Sequence, residues 1–457
     1  MIVCKFGGTS VQDAEAMERV AAILKKRIDQ RPVVVASAMG KTTNGLLNAA
    51  RLAADGKRQE ALEVLSALKH VHLSESRKLG LAAPGDEVHE TITSHFKEMA
   101  NIVRGLATLG ELTPRSMDAM ASYGERLSTL ILCHYLRSRD IPAELKDSRQ
   151  FIITDDNFTR AAPVFDLTDA AIREHLLPDI SAGKVPVVQG FVGSTRKGIT
   201  STIGRGGSDY SASIVGAALE AYDIQIWTDV DGIMTADPRV VPEARRVRII
   251  SFDEAAELAY FGARVLHPAT ILPAVRKKIP VHVLNSFKPD LEGTLITVEA
   301  LPCTNPVKSI ACKKAITIIN VTSTRMLMAH GFLRAIFEIF DRFRVPVDVV
   351  STSEVSVSLT VDDITSLWDI VTELKKIGEV NVEGGKAIVC CVGDSLRNSS
   401  GVLHLLASAV RDVNVLMVSQ GASAINVTFV IDEDQLGRCL RNLHDVFFQE
   451  IDPSVFD

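Results

Sequence analysis

The feature that most restricts the fold is an internal repeat in the last third of the chain. Gly331-Phe332-Leu333 recurs as Gly401-Val402-Leu403, 70 residues further on. At the same offset and without a gap, Val345 meets Val415, Ser353 meets Ser423, and Val355-Ser356-Val357-Ser358 meets Ile425-Asn426-Val427-Thr428. Upstream, Ile316-Thr317-Ile318-Ile319 meets Lys386-Ala387-Ile388-Val389. Each copy reads strand, glycine-started helix, strand, alternating strand, helix, the pattern of a small βαββαβ domain. The copies differ in charge: Asp348 and Glu354 of the first stand where the second has Val418 and Ala424. Such replacements do little for a fold, but carboxylates at those positions would hold a cationic or zwitterionic effector by its amino group. The plain alternative is a solvent-facing pair of carboxylates.

Ahead of the repeat the pattern changes. Short apolar runs at Ile2 to Phe6, Val33 to Ala36, Val185 to Val188 and Ile224 to Trp227 alternate with helical spacing, as at Val11, Ala14, Met17, Val20, Ala21, Leu24 and Ile28. Runs buried on both faces and separated by helices predict a mostly parallel sheet with helices on each side. From about Ala49 to Arg139 the chain reads as amphipathic helices, with a helix starting near Asn44. Val281 to Leu284, before Lys288-Pro289-Asp290, reads as a last strand, and Pro302 and Pro306 bracket a linker. At about 150 residues per domain, the 457 residues hold three domains, or two of unequal size.

Composition narrows the function. Hydrophobic residues make up 46% and charged residues 23%, which disfavours disorder and a disulfide scaffold. A net charge of −6 argues against a coat for nucleic acid or acidic membrane. The seven cysteines form no Cys-x-x-Cys pair and read as reduced, mostly buried thiols. Cys390 and Cys391, adjacent on a strand, would point to opposite faces. The chain starts directly in a strand, and no apolar run reaches the roughly 18 residues of a span. A soluble, cytoplasmic protein is expected.

Three loops at strand ends carry the chemistry. In Lys5-Phe6-Gly7-Gly8-Thr9-Ser10-Val11, paired glycines let backbone N–H groups approach an anion, with a helix N-terminus behind them and Lys5 beside them. Gly40-Lys41-Thr42 mimics the end of a P-loop, but the glycine required five residues before Gly40 is Val35. Ser37 to Gly40 is instead a small-residue turn, with Thr42, Thr43 and Asn44 as caps and polar contacts. In Gly204-Arg205-Gly206-Gly207-Ser208-Asp209, Arg205 suits bidentate capture of a carboxylate or phosphate. Ser208 or Asp209 would cap the following helix, or Asp209 would turn inward to position Lys5 or a metal. Asp229 and Asp231 admit two readings, metal ligands or ordinary turn chemistry before Gly232. No His/Cys/Asp set has metal-ligand spacing, and His267 before Pro268 reads as a packed structural residue. Glycine loops with a lysine and an arginine point to phosphoryl transfer from a nucleotide, which works by positioning and charge neutralisation. An acceptor carboxylate is already deprotonated and needs no general base.

The chain resembles the aspartokinases, a branch of the amino-acid kinase family, over essentially its whole length. Lys5 to Val11, Ser122-Tyr123-Gly124-Glu125, Gly204 to Asp209 and Trp227-Thr228-Asp229-Val230 carry the resemblance, and the terminal repeats look like ACT domains. The resemblance implies a three-layer α/β/α, carbamate kinase-like domain over 1–295 and a linker over 296–310. Two ferredoxin-like ACT domains would follow, over 311–385 (effector-binding) and 386–457, either in tandem or interleaved. It implies phosphorylation of the β-carboxylate of L-aspartate by Mg2+-bound ATP, the first step toward lysine, threonine and methionine. By motif, Lys5, Phe6, Gly7 and Gly8 would hold the ATP phosphates, with Lys5 and Asp209 catalytic. Ser37, Thr43, Glu125, Arg205, Gly206, Gly207 and Ser208 would bind aspartate, Glu125 its α-amino group and Arg205 its α-carboxylate. Thr228, Asp229, Met234, Arg239, Arg264 and Val265 would line the nucleotide. Arg264 replaces a lysine, and Met234 an aromatic, common in such enzymes. Met326, Phe332, Leu333, Asp348, Thr352, Ser353, Glu354 and Val355 match a lysine effector pocket, and threonine-sensitive members have similar segments. A homodimer or homotetramer through the ACT domains is implied. A catalytically silent amino-acid sensor is the alternative from another class, against which intact Lys5, Arg205 and Asp209 stand.

Overall fold

The computed structural model describes residues 1–204, 206–262, 268–299, 302–323 and 330–457. Two compact units result: Met1–Gly232 with Val265–Glu299, and Ile233–Arg264 with Ala300–Asp457.

In the first unit the apolar runs become strands β1 (Ile2–Phe6), β2 (Pro32–Ala36), β3 (Ala143–Lys146), β5 (Val185–Gln189), β8 (Asp223–Thr228), β10 (Val281–Asn285) and β11 (Thr294–Thr297). They lie side by side in the order β3-β5-β2-β1-β8-β10-β11, parallel except for β11. Every residue of β1, β2 and β5 is buried, as strands covered on both faces require. Three short strands, β4 (Ile153–Thr154), β6 (Val192–Thr195) and β7 (Thr200–Thr202), form a second sheet. The helices are α1 (Ala14–Lys25), α2 (Thr42–Ala54), α3 (Arg58–Lys78), α4 (Glu87–Leu109), α5 (Pro114–Ala121), α6 (Tyr123–Ser138), α7 (Phe165–Ser181), α8 (Gly207–Ala218) and α10 (Leu272–Lys277). Asp13 caps α1 by accepting from Ala16 N–H, and Thr113 with Pro114 starts α5.

Two expected caps are absent. The Lys41 residue that precedes α2 makes no side-chain cap, and Thr42 Oγ1 donates back to the Met39 carbonyl at 2.6 Å, so the helix opens two residues before Asn44. Neither Ser208 nor Asp209 caps α8: Gly206, at φ 70°, is the cap residue, a conformation glycine adopts without steric cost.

The second unit holds β9 (Ile249–Ser251), α9 (Phe252–Tyr260), β12 (Ser309–Thr322), α11 (Phe332–Phe343), β13 (Val350–Thr352), β14 (Ser356–Val361), α12 (Leu367–Leu374), β15 (Glu379–Val392), α13 (Val402–Ala409), β16 (Val415–Gln420), β17 (Asn426–Asp432) and α14 (Leu436–Phe447). A Ser251–Glu254 capping box starts α9. The same Glu254 meets Lys308 at 3.0 Å in a fully buried ion pair that ties α9 to the chain entering β12. The repeat is visible element by element. Gly331 and Gly401, at φ 86° and 82°, start α11 and α13, and β14 and β17 follow at the same offset.

One antiparallel sheet serves both copies, in the order β13-β14-β12-β15-β17-β16. Its two central strands are 14 residues long and are shared. Residues 317–322 of β12 pair with β14, while 309–313 pair with the end of β15 that also pairs with β17. The fourth strand of the second copy is thus the start of β12, delivered from in front of the first copy.

Candidate active site

Hydrogen bonding continues past the strand ends of the first unit and fixes the loops there. Gly7 N–H donates to the Trp227 carbonyl, Ser37 N–H to Phe6, Gly190 N–H to Ala36 and Ser286 N–H to Thr228, all at 2.9–3.0 Å. These loops line the carboxyl edge of a parallel sheet, where open α/β folds bind ligands.

Lys5 pairs with Val35 and Ile226 in register, so its backbone sits between two buried strands. Its ammonium meets Asp209 Oδ1 at 2.5 Å, with side-chain exposures of 10% and 15%. Asp209 occupies the first turn of α8, where a carboxylate complements the helix dipole. Of the two glycines that follow in this loop, Gly8 is needed for space, while a Cβ on Gly7 would make only ordinary contact. A Cβ on Gly8 would lie 3.1 Å from the Gly40 carbonyl oxygen and 3.2 Å from that of Ala38, and one on Gly7 would lie 3.6 Å from Lys5 Nζ. The 3-10 turn Gly8–Val11 begins here. The first N–H groups of such a turn have no intrahelical acceptor and suit an anion.

The loop after β2 packs on the start of α6. A Cβ on Gly124 would lie 2.8 Å from Ala38 Cβ and 3.1 Å from Thr43 Oγ1, and Ser128 Oγ donates to the Ser37 carbonyl at 2.5 Å. Ser37, Thr43 and Glu125 are thereby gathered around Ala38, whose N–H donates to Glu125 Oε1 at 3.2 Å. Glu125 is 4% exposed, and its other oxygen is buried with no hydrogen-bond partner. Burial pushes its pKa up to about 8. A buried carboxylate with one unpartnered oxygen is what an incoming ammonium would satisfy.

Sequence reasoning missed two residues at this edge. Phe191 follows β5 in a left-handed conformation at φ 67°, its N–H held by Ser211 Oγ at 2.9 Å, and a Cβ on Gly207 would strike its ring. A Cβ on Gly190 would lie 2.6 Å from Ser208. A glycine directly after a buried strand on the same edge as Gly7 was the available signal. The other is Asp118, buried on α5 and far in sequence from everything it binds.

Of the other singled-out residues, Thr228 lies on the same edge, at the end of β8, with its hydroxyl 3.2 Å from exposed Asp229. Asp231 is engaged by Asn285 at 2.5 Å and by Lys288 at 2.8 Å. Among the described residues no group of three His, Cys, Asp or Glu could hold a metal ion. All seven cysteines are free thiols, five of them buried.

Met234 and Arg239 belong to the second unit. The Met234 carbonyl accepts from Ser309 Oγ, and the exposed Arg239 guanidinium folds onto Asp237 at 2.8 Å. Phe332 and exposed Leu333 open α11, while Thr352, which ends β13, and Ser353, Glu354 and Val355 in the turn to β14 are exposed. Asp348 is different. Its side chain is 1% exposed and already bound, to Lys313 at 2.9 Å and to the Tyr260 hydroxyl at 3.0 Å. Arg205, Arg264, Val265, His267 and Met326 lie outside the described residues. Among the described residues no helix is long and apolar enough to cross a membrane.

A phosphate-suited turn beside a held lysine, with a buried carboxylate near by, is the equipment of a small-molecule kinase. The chain belongs to the amino acid kinase family, whose profile matches residues 1–285, and an ACT domain profile matches residues 389–447. Within that family its relatives are aspartokinases. It is 38% identical over 98% of its length, and 99% of the relative's, to the lysine-sensitive aspartokinase 3 of Escherichia coli. To the chloroplastic aspartokinase 1 of Arabidopsis thaliana it is 40% identical, over 99% of this chain and 81% of the relative. The crystal structure of E. coli aspartokinase III with aspartate and ADP, in the R-state, matches with a TM-score of 0.86 at 36% identity, covering 98% of this chain and all of that one. The T-state structure with lysine and aspartate matches with a TM-score of 0.83 at 37% identity, with the same coverage.

Proposed function

We propose that this protein is an aspartate kinase, transferring the γ-phosphoryl group of ATP to the β-carboxylate of L-aspartate to give 4-phospho-L-aspartate. The observation that carries the reading is the pairing, about one loop residue, of a phosphate-suited turn and an amine-suited carboxylate. Gly8 packs against the Ala38 carbonyl, while the Ala38 N–H binds Glu125. Full-length similarity to an enzyme crystallised with aspartate and ADP supports it.

The substrate carboxylate oxygen attacks the γ-phosphorus, the bond to the β-γ bridging oxygen breaks, and ADP leaves. Lys5, held by Asp209, neutralises charge on the transferring group, and the Gly7-Gly8 turn receives the phosphates. Glu125 takes the α-amino group and Arg205 the α-carboxylate, with Ser37, Thr43, Gly206, Gly207 and Ser208 around them. Thr228, Asp229, Met234, Arg239, Arg264 and Val265 line the nucleotide. Mg2+ supplied with ATP would add neutralising charge for the phosphates, beside Lys5 and the Gly7-Gly8 turn. Domains divide as 1–295 for catalysis, with 311–385 and 386–457 as ACT domains that pair subunits into a dimer or tetramer. Lysine is the effector, bound at the first copy through Met326, Phe332, Leu333, Asp348, Thr352, Ser353, Glu354 and Val355. The compartment is the cytoplasm.

Coupled ADP release tests this: turnover is expected with aspartate and not with glutamate or uridylate, and lysine is expected to inhibit. Inhibition by threonine alone would reassign the effector. Arg205→Ala is expected to raise the aspartate KM about tenfold to a hundredfold, the loss of a charge-assisted pair, and the ATP KM far less. Equal effects on both would contradict the role.

A further inference from the structure

Asp118 is a buried carboxylate, 1% exposed, that none of the proposed chemistry uses. Three donors converge on it. The N–H groups of Thr159 and Thr202 each reach Oδ2 at 2.9 Å, and the Thr202 hydroxyl reaches Oδ1 at 2.6 Å. Thr159 sits in a left-handed conformation, φ 70°, which a threonine holds only when its surroundings impose it. Burial raises the Asp118 pKa while all three bonds oppose the rise. Replacing the side chain with alanine therefore leaves two N–H groups, one buried and one part-buried, without their acceptor.

The elements joined this way lead to two different subsites. Asp118 lies on α5, one turn before Ser122, at the junction from which α6 carries Glu125. Thr202 ends β7, and after Ile203 the chain enters the loop from Gly204 to Asp209. The Thr159 segment supports the same loop: a Cβ on Gly204 would lie 3.4 Å from the Thr159 carbonyl oxygen, and Ala161 N–H donates to the Thr202 carbonyl at 3.0 Å. One carboxylate therefore ties the helix that precedes Glu125 to both walls of the loop that contains Arg205. The ammonium and carboxylate of an α-amino acid are separated by a single carbon, so their receptors tolerate little change in spacing. A displacement of about 1 Å can cost about a hundredfold in rate.

We propose that Asp118 is a positioning residue that sets the distance between the α-amino and α-carboxylate subsites for aspartate. This rests on the functional reading above, and a wild-type control separates the two. Asparagine can keep the arrangement, because its amide oxygen accepts both N–H groups and the Thr202 hydroxyl can rotate to accept from its NH2. Alanine cannot.

The test measures both Michaelis constants by ADP release for the full chain and for Asp118→Ala, Asp118→Asn and Thr202→Val. Asp118→Ala is expected to raise the aspartate KM about tenfold to a hundredfold, with the ATP KM within about twofold. Asp118→Asn should return the aspartate KM to within about threefold of wild type. Thr202→Val, which keeps both backbone bonds, should raise the aspartate KM about threefold and decides the matter if the alanine variant fails to fold. Equal changes in the two constants, an unchanged aspartate KM in Asp118→Ala or Thr202→Val, or an asparagine variant no better than alanine would overturn the proposal alone. A wild type without aspartate-dependent ADP release would overturn the function and this inference together.

Discussion

Glu125 in the first unit and Asp348 in the second are both carboxylates assigned to an amino group, yet the chain treats them differently. Glu125 has one oxygen on the Ala38 N–H and the other buried and unpartnered, and burial raises its pKa against two backbone bonds. Asp348 also has one oxygen buried without a hydrogen-bond partner, but its other oxygen receives Lys313 and the Tyr260 hydroxyl, and Lys313 also meets Asp362 at 2.8 Å. Among the described residues no cation pairs with Glu125, whereas the charge of Asp348 is already partnered from within by Lys313. An effector ammonium at Asp348 must therefore compete with Lys313, which weakens its binding, whereas the amine of aspartate meets no such rival at Glu125.

The largest effect is expected at the unsatisfied group. Glu125→Ala should lower kcat/KM for aspartate by about 30-fold to a few thousandfold, the range for losing one side of a buried charge pair. ADP-release kinetics measure this, and a drop below about tenfold would erase the contrast with Asp348. Next comes Asp348→Val, which copies the second repeat. Inhibition titrations should show the half-inhibitory lysine concentration raised about tenfold to a hundredfold, and unchanged inhibition would remove Asp348 from the effector site.

The pH dependence belongs to Glu125 and has a definite sign. Its folded pKa of about 8 exceeds the ordinary 4.5, so the folded state holds a proton that the unfolded state has released between those values. Stability is thus full below about pH 4.5 and is lost as pH rises through about 8. The melting temperature of Glu125→Gln should gain on wild type across that window. An ammonium needs the ionised carboxylate, so the aspartate KM should rise as pH falls below 8, by at most about tenfold per unit. A flat profile would mean that Glu125 is ionised before aspartate arrives.

Smaller still, Lys313→Met should lower the half-inhibitory lysine concentration by about threefold to tenfold by removing the internal competitor. A rise would make Lys313 a support of the pocket instead of a rival. The reverse transplant should do least. Val418→Asp with Ala424→Glu places charges on exposed positions of the second copy, where surface changes stay within about 0.5 kcal/mol. Direct lysine titration by calorimetry should find no added site.

What could be read from the sequence was local. Paired glycines after Lys5, alternating and all-apolar runs, and a repeat aligned without gaps each report on neighbouring residues, and each reappears in the fold. The elements that escaped are those whose partners are distant. Asp118 bonds to residues 41 and 84 positions away. Phe191 is held in its left-handed backbone by Ser211 and packs on Gly207, and of the two roles the sequence offered Asp209, helix cap or partner of Lys5, the fold selects the second. The sequence left tandem and interleaved repeats both open, and pairing in space decided between them, since β12 is one uninterrupted run in sequence and serves two copies.

By itself the sequence determined that this chain would be a glycine-looped parallel sheet followed by two copies of a small α/β unit, because periodicity and backbone freedom are properties of a few consecutive residues. Only the tertiary structure decided which charges would be left wanting. Whether a carboxylate such as Glu125 or Asp348 is free for a ligand depends on which donors other segments bring within about 3 Å, and no local pattern records that.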